Sequence, residues 1–105
     1  MQQQKANIVY LAPAREDILN IARYHLDQVG PKSAKQITDT ILNSIDRLSY
    51  FPLLGPLHPD PVLAEKGYRK LIVKSPYVCV YRVFTDCVRI YRIINGMTDY
   101  PRLLK

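Results

Sequence analysis

Two cysteines and two histidines in 105 residues leave little material for thiol chemistry or a metal centre. Cys79 and Cys87 have no histidine beside them, so they do not form a zinc site. Acidic residues are scarce as well: nine Asp and Glu stand against fifteen Lys and Arg, a net charge of +6. No apolar run approaches the roughly 20 residues of a membrane-spanning helix. The opening Met1-Gln2-Gln3-Gln4-Lys5-Ala6-Asn7 lacks the apolar stretch of a signal peptide. These absences predict a cytoplasmic chain with no membrane partner. There is no repeat, no phosphate-cradling glycine motif, no evident Ser-His-Asp arrangement and no Cys-His pair, and neither a cofactor nor a metal is expected.

What is present suits one domain, residues 1–105, with 48% hydrophobic residues to build a core. The positive charge is unevenly placed. Residues 67–105 carry eight basic and two acidic side chains, and the earlier segments nearly balance. Such asymmetry points to an acidic or polyanionic partner docking on the last third, or to a solvated basic face.

Hydrophobic spacing divides the chain into a helical half and a strand half. Asn7 to Leu11 is a short β-branched and aromatic run that fits a strand. Pro13 suits the first turn of a helix, with Glu16 and Asp17 near its positive end. Ala14, Ile18, Ile21, Ala22 and Val29 then recur at helical spacing until Gly30-Pro31. A second helix follows, marked by Ala34, Ile37, Ile41, Ile45 and Leu48 and ended by Phe51-Pro52, so the two form an antiparallel hairpin. Residues 52–66 hold four of the eight prolines and are expected to lack regular structure. Tyr68 to Lys74, Tyr77 to Phe84 and Val88 to Ile94 read as strands of an antiparallel meander. A two-residue turn at Thr85-Asp86 would set Cys79 opposite Arg92 and Cys87 opposite Phe84. The two thiols would then lie roughly 17 Å apart, too far for a disulfide.

Basic and tyrosine residues interleave in the strand half: Tyr68-Arg69-Lys70, Lys74, Tyr77, Tyr81-Arg82, Arg89, Tyr91-Arg92, Tyr100 and Arg102. Strand alternation divides them between two faces, one of which must meet the helices. Those on the other face could bind phosphates beside a tyrosine, although strands favour tyrosine without any function. RNA cleavage needs a base, a cation and an acid. Only the cation is obvious, because His25 reads as a packing or boundary residue of the first helix. His58 with Asp60 supplies two metal ligands at most.

Several short patterns together carry a family resemblance. They are Ala14-x-x-Asp17-Ile18-x-x-Ile21-x-x-Tyr24, Pro52-x-x-Gly55, Gly67-Tyr68-Arg69, Tyr81-Arg82-Val83, Ile90-x-x-Ile93 and Gly96-x-x-Asp99. From about residue 7 to residue 104 the chain resembles the RelE/ParE superfamily of bacterial type II toxins. The resemblance implies an α+β fold: an N-terminal strand, a helical hairpin and a three-stranded antiparallel meander, with helices packed on the sheet. It also implies a cognate antitoxin, promoter DNA bound only through that antitoxin, and one of two activities.

The RelE-like branch cleaves messenger RNA on the ribosome. Its resemblance would assign Arg69, Lys70 and Arg82 to phosphate and Tyr81 or Tyr100 to proton donation. Arg69 matches a basic position of that branch, whereas Val78, Thr98 and Leu103-Leu104 depart from it. The ParE-like branch inhibits DNA gyrase without catalysis and serves in plasmid stabilisation. It is closer, through Gly67-Tyr68-Arg69 and the tail Met97-x-Asp99-x-x-x-Leu103, although Asn95 stands where a histidine is common. That branch would place the target contact on Arg82, Arg92, Met97, Asp99, Tyr100 and Arg102. An inactive relative surviving only as a binding partner is a third reading.

Overall fold

A computed structural model describes residues 5–104, so the reading of the opening Met1 to Gln4 as free of a signal peptide lies outside the described residues. The elements are β1 (Asn7–Tyr10), α1 (Ala12–Gln28), α2 (Pro31–Asp46), α3 (Pro61–Glu65), β2 (Tyr68–Lys74), β3 (Tyr77–Val83) and β4 (Cys87–Asn95). Single 3-10 turns cover Arg47–Ser49 and Pro101–Leu103. The sheet order is β1-β4-β3-β2; β2, β3 and β4 form the antiparallel meander, and β1 runs parallel to β4. A parallel pair needs a long crossover, which the α1–α2 hairpin provides.

Local chemistry explains the boundaries. Gly30, at φ 137°, reverses the chain between the helices in a backbone region that L side chains rarely adopt, and Pro31 opens α2 where its missing N–H costs nothing. Ile37, Ile41, Ile45 and Leu48 follow at steps of three and four and are buried. They meet Leu71, Val73, Cys79, Tyr81, Val88, Ile90 and Ile93 on one face of the sheet. Strand alternation turns Tyr68, Val78 and Val80 to the opposite face, where Leu63 of α3 and Tyr100 of the C-terminal arm cover them.

Three expectations need correction. The proline-rich segment contains regular structure: Pro61 sits in the first turn of α3, and the Asp60 carboxylate accepts from the Val62 and Leu63 amides, 3.0 and 3.2 Å away. Prolines there start a short helix as well as interrupting the chain. The Thr85-Asp86 turn does pair Val83 with Val88, but a bulge between Val80 and Tyr81 shifts the register by one residue, so Cys79 faces Ile93 instead of Arg92. Both cysteines remain free. Finally, Asp17 does not serve the start of α1, which lies at Ala12; its carboxylate turns to β4.

Candidate functional site

The C-terminal arm leaves β4 through a tight turn. The Asn95 side chain accepts from the Met97 amide at 2.9 Å, and the Asn95 carbonyl accepts from both the amide and the hydroxyl of Thr98. A Cβ on Gly96 would lie 3.1 Å from Val78, so a glycine lets the turn approach the strand closely. The turn projects Met97, which is 86% exposed. Asp99 and Arg102 are also exposed and lie 3.7 Å apart, a spacing that leaves both mostly to solvent.

Tyr100, between them, points the other way and is 4% exposed. Its hydroxyl lies 2.6 Å from His58 Nε2, and the two rings meet edge to face. His58 Nδ1 accepts from the Asp60 amide at 3.0 Å, so in the neutral ring Nε2 carries the hydrogen and donates to Tyr100. Burial lowers the His58 pKa below its ordinary value, Lys70 lowers it further, and Asp60 opposes both. Burial, with Asp60 adding to it, raises that of Tyr100.

Arg82 and Arg89 face each other across β3 and β4, and Tyr68 continues the row on β2. The guanidinium of Arg82 lies over the rings of Tyr68 and Phe84, and that of Arg89 is 4.2 Å from the centre of Phe84. Among the described residues no carboxylate pairs with either arginine. This row is a fixed cationic surface.

Of the remaining predicted residues, Tyr81, Arg69 and Arg92 are engaged in the fold through their side chains, and Lys70 through its backbone amide. Tyr81 is fully buried; its hydroxyl accepts from the Gly55 amide at 2.9 Å and donates to the Pro52 carbonyl at 2.8 Å. Burial raises its pKa, and the Gly55 bond and Arg69 offset part of that rise. Arg69 donates to the Gly55 carbonyl at 2.8 Å. Arg92 grips Asp17 with two bonds of 2.7 and 2.9 Å, and the same carboxylate accepts from the Ile93 amide. That hydrogen bond raises the pKa of Arg92. Lys70 anchors the loop by donating its amide to the Pro56 carbonyl. The structure thus brings Met97, Asp99 and Arg102 together in solvent and sets Arg82 apart on the sheet.

Sequence reasoning missed Asp17 as the partner of Arg92 and His58 as the partner of Tyr100. Their separations of 75 and 42 residues left no local signal. It also missed why a glycine stands at the end of Pro52-x-x-Gly55: a Cβ on Gly55 would stand 2.6 Å from the Lys70 carbonyl oxygen. Among the described residues, no three His, Cys, Asp or Glu side chains converge as a metal would require.

A strand, a helical hairpin and a three-stranded antiparallel meander in one sheet make a ParE-like fold of the RelE/ParE superfamily of toxins. The chain matches the family model of the ParE toxin of the type II toxin-antitoxin system parDE over residues 8–100, and it belongs to that family. It is a toxin component of a type II toxin-antitoxin system. The fold is shared with a solved chain of the chromosomal ParDE TA system from P. aeruginosa. That match has a TM-score of 0.74 and 22% identity and covers 87% of this chain and 96% of the other. No curated protein matches the chain. Among the described residues no helix is long and apolar enough to cross a membrane.

Proposed function

We propose that this toxin arrests growth in the cytoplasm by binding and inhibiting DNA gyrase without catalysis, and that a cognate antitoxin neutralises it. One observation carries this reading. The tail displays Met97, Asp99 and Arg102 on an arm held by Tyr100, whereas Tyr81 and Arg69 are bound to the backbone of the Pro52–Gly55 segment. A buried phenol with its hydroxyl so engaged, and its pKa raised, is a poor proton donor to RNA. Met97, Asp99 and Arg102 then make the direct target contact, with Arg82 as a separate cation on the sheet; Tyr100 and Arg92 support them from within. Arg92 does so by tying β4 to α1 through Asp17.

The antitoxin has an apolar face to occupy. Leu19, Leu26, Val29 and Leu42 are exposed along the helical hairpin, and Tyr10, Arg15, Ile18, Leu19 and Leu42 line a cleft of about 330 Å³. Apolar exposure of that kind marks a protein interface. Promoter DNA is contacted through the antitoxin, and the pair contributes to plasmid stabilisation.

A pulse of expression without antitoxin, followed by early labelled thymidine and methionine incorporation, tests the proposal. Thymidine incorporation falls first if gyrase is the target. Methionine falling first, with cleaved transcripts lost on Arg69→Ala, would replace it with the ribosome-dependent nuclease. No fall in either would leave an inactive relative that acts only as a binding partner.

A further inference from the structure

The most deeply buried side chain of the C-terminal arm is Tyr100, with Leu104 half-buried against the same cluster, and the Tyr100 hydroxyl meets a histidine already committed on its other nitrogen. We infer that His58 is the positioning residue of the arm: neutral and carrying its hydrogen on Nε2, it latches Tyr100 to the proline-rich segment, and a second proton on the ring opens the latch.

The geometry leaves the ring little choice. His58 is 4% exposed, and its own amide donates to the Tyr68 carbonyl at 2.9 Å, which ties its backbone to β2. Nδ1 accepts from the Asp60 amide at 3.0 Å, and Nε2 lies 2.6 Å from the Tyr100 hydroxyl. A proton taken from solvent by Nδ1 would set two N–H donors against each other along the Asp60 contact. The ring must then turn or the Asp60 segment must move, and either displaces Nε2 from Tyr100. Among the described residues, the charged or titratable groups that act on the ring are Lys70 from β2, Asp60 from the cap of α3 and Tyr100 from the arm. The Asp60 carboxylate is held by the Val62 and Leu63 amides, so it is oriented to cap α3. Burial and Lys70, opposed by Asp60, favour the neutral ring, which is the latched form.

The arm carries Met97, Asp99 and Arg102, so the consequence of the latch for toxicity rests on the reading of the arm as the target contact. The latch itself does not. Release would free the short turn in which Leu103 and Leu104 donate to the Tyr100 and Pro101 carbonyls.

The test uses the full chain, labelled with nitrogen-15 and made by cell-free synthesis. Backbone relaxation of residues 97–104 is recorded from about pH 7.5 to about pH 4, a range that reaches well below the ordinary histidine pKa of about 6.5 because that of His58 is lowered. The wild-type arm is expected to be ordered at the upper end and to gain fast motion as the His58 ring titrates, while the amides of β3 and β4 stay rigid. His58→Gln, which keeps a donor and cannot titrate, is expected to hold the arm ordered throughout. Tyr100→Phe, which keeps the ring and removes the acceptor, is expected to loosen it at every pH. An arm equally ordered in Tyr100→Phe and wild type, or a wild-type response that persists in His58→Gln, overturns the inference. In a gyrase supercoiling assay near neutral pH, loss of the latch is expected to weaken inhibition about five- to tenfold, with His58→Gln close to wild type. A loosened arm with unchanged inhibition would leave the latch standing and refute the arm as the target contact.

Discussion

Replacing Tyr81 by phenylalanine removes one oxygen atom from a site with no access to water, and its effect separates a structural role from a chemical one. The hydroxyl accepts from the Gly55 amide and donates to the Pro52 carbonyl, and the residue is 0% exposed. Phenylalanine preserves the ring packing against the helices, so the cost is that of stranding a buried amide donor and weakening one acceptor. That cost is about 2 kcal/mol, within the usual 1–3 for an unsatisfied buried group. For a domain of this length it lowers the melting temperature by roughly 8–15 °C. Urea unfolding followed by far-ultraviolet circular dichroism gives the stability difference, and an unchanged slope would show that the denatured state is unaffected. Tyr24→Phe, at an exposed position, serves as the control and should change stability by less than about 0.5 kcal/mol. At a temperature where the variant is folded, growth arrest should persist. A Tyr81→Phe protein of wild-type stability that no longer arrests growth would refute the reasoning and make the phenol a participant in chemistry.

Asp17→Ala leaves the Arg92 guanidinium and the Ile93 amide without their acceptor, and should cost about 2–4 kcal/mol in urea unfolding, with the Asp17→Ala/Arg92→Ala pair far from additive. Gly55→Ala forces a Cβ to within 2.6 Å of the Lys70 carbonyl and should yield little folded protein, measured by soluble expression alongside the antitoxin. Burial, with Cys79 and Asp46 adding to it, pushes the Tyr10 phenol up to about 12. Its neutral form therefore stabilises the fold fully below its ordinary value of about 10, and that contribution is lost as pH rises through about 12; Tyr10→Phe should flatten the alkaline limb of a stability-against-pH curve. Burial also raises the pKa of the Cys79 thiol strongly, so a thiol reagent added to the native protein should leave Cys79 unmodified until the chain unfolds.

The parts of the fold that were legible in the sequence are those with local causes. Isoleucines at helical spacing marked α2, Gly30-Pro31 marked the hairpin, and Thr85-Asp86 marked the turn of β3 and β4. The α3 helix was missed because four prolines suggest an interrupted chain until Asp60 and Pro61 are recognised as a cap and a first turn. The bulge that moves Cys79 opposite Ile93 left one mark in the sequence, a skipped step in β4: Val88 and Ile90 alternate, but the next residue buried toward the helices is Ile93, so Tyr91 is the extra residue. In the candidate site, the tail residues could be named from a family pattern, but their division between solvent and interior could not. Whether Tyr100 points outward with Met97 or inward to His58 depends on a segment 42 residues earlier, and Arg92 depends on one 75 residues earlier. Such pairings are set by how β4 and the arm lie against the rest of the sheet, which no window of sequence contains.

The most direct measurement of the central claim is supercoiling of relaxed plasmid by purified gyrase with added toxin, comparing the wild-type chain with a Met97→Ala, Asp99→Ala, Arg102→Ala variant. All three side chains are exposed, so the variant should keep the wild-type melting temperature. The account predicts that the wild type blocks supercoiling and the folded variant does not. Equal inhibition by both would contradict the arm as the contact, and no inhibition by either would contradict gyrase as the target.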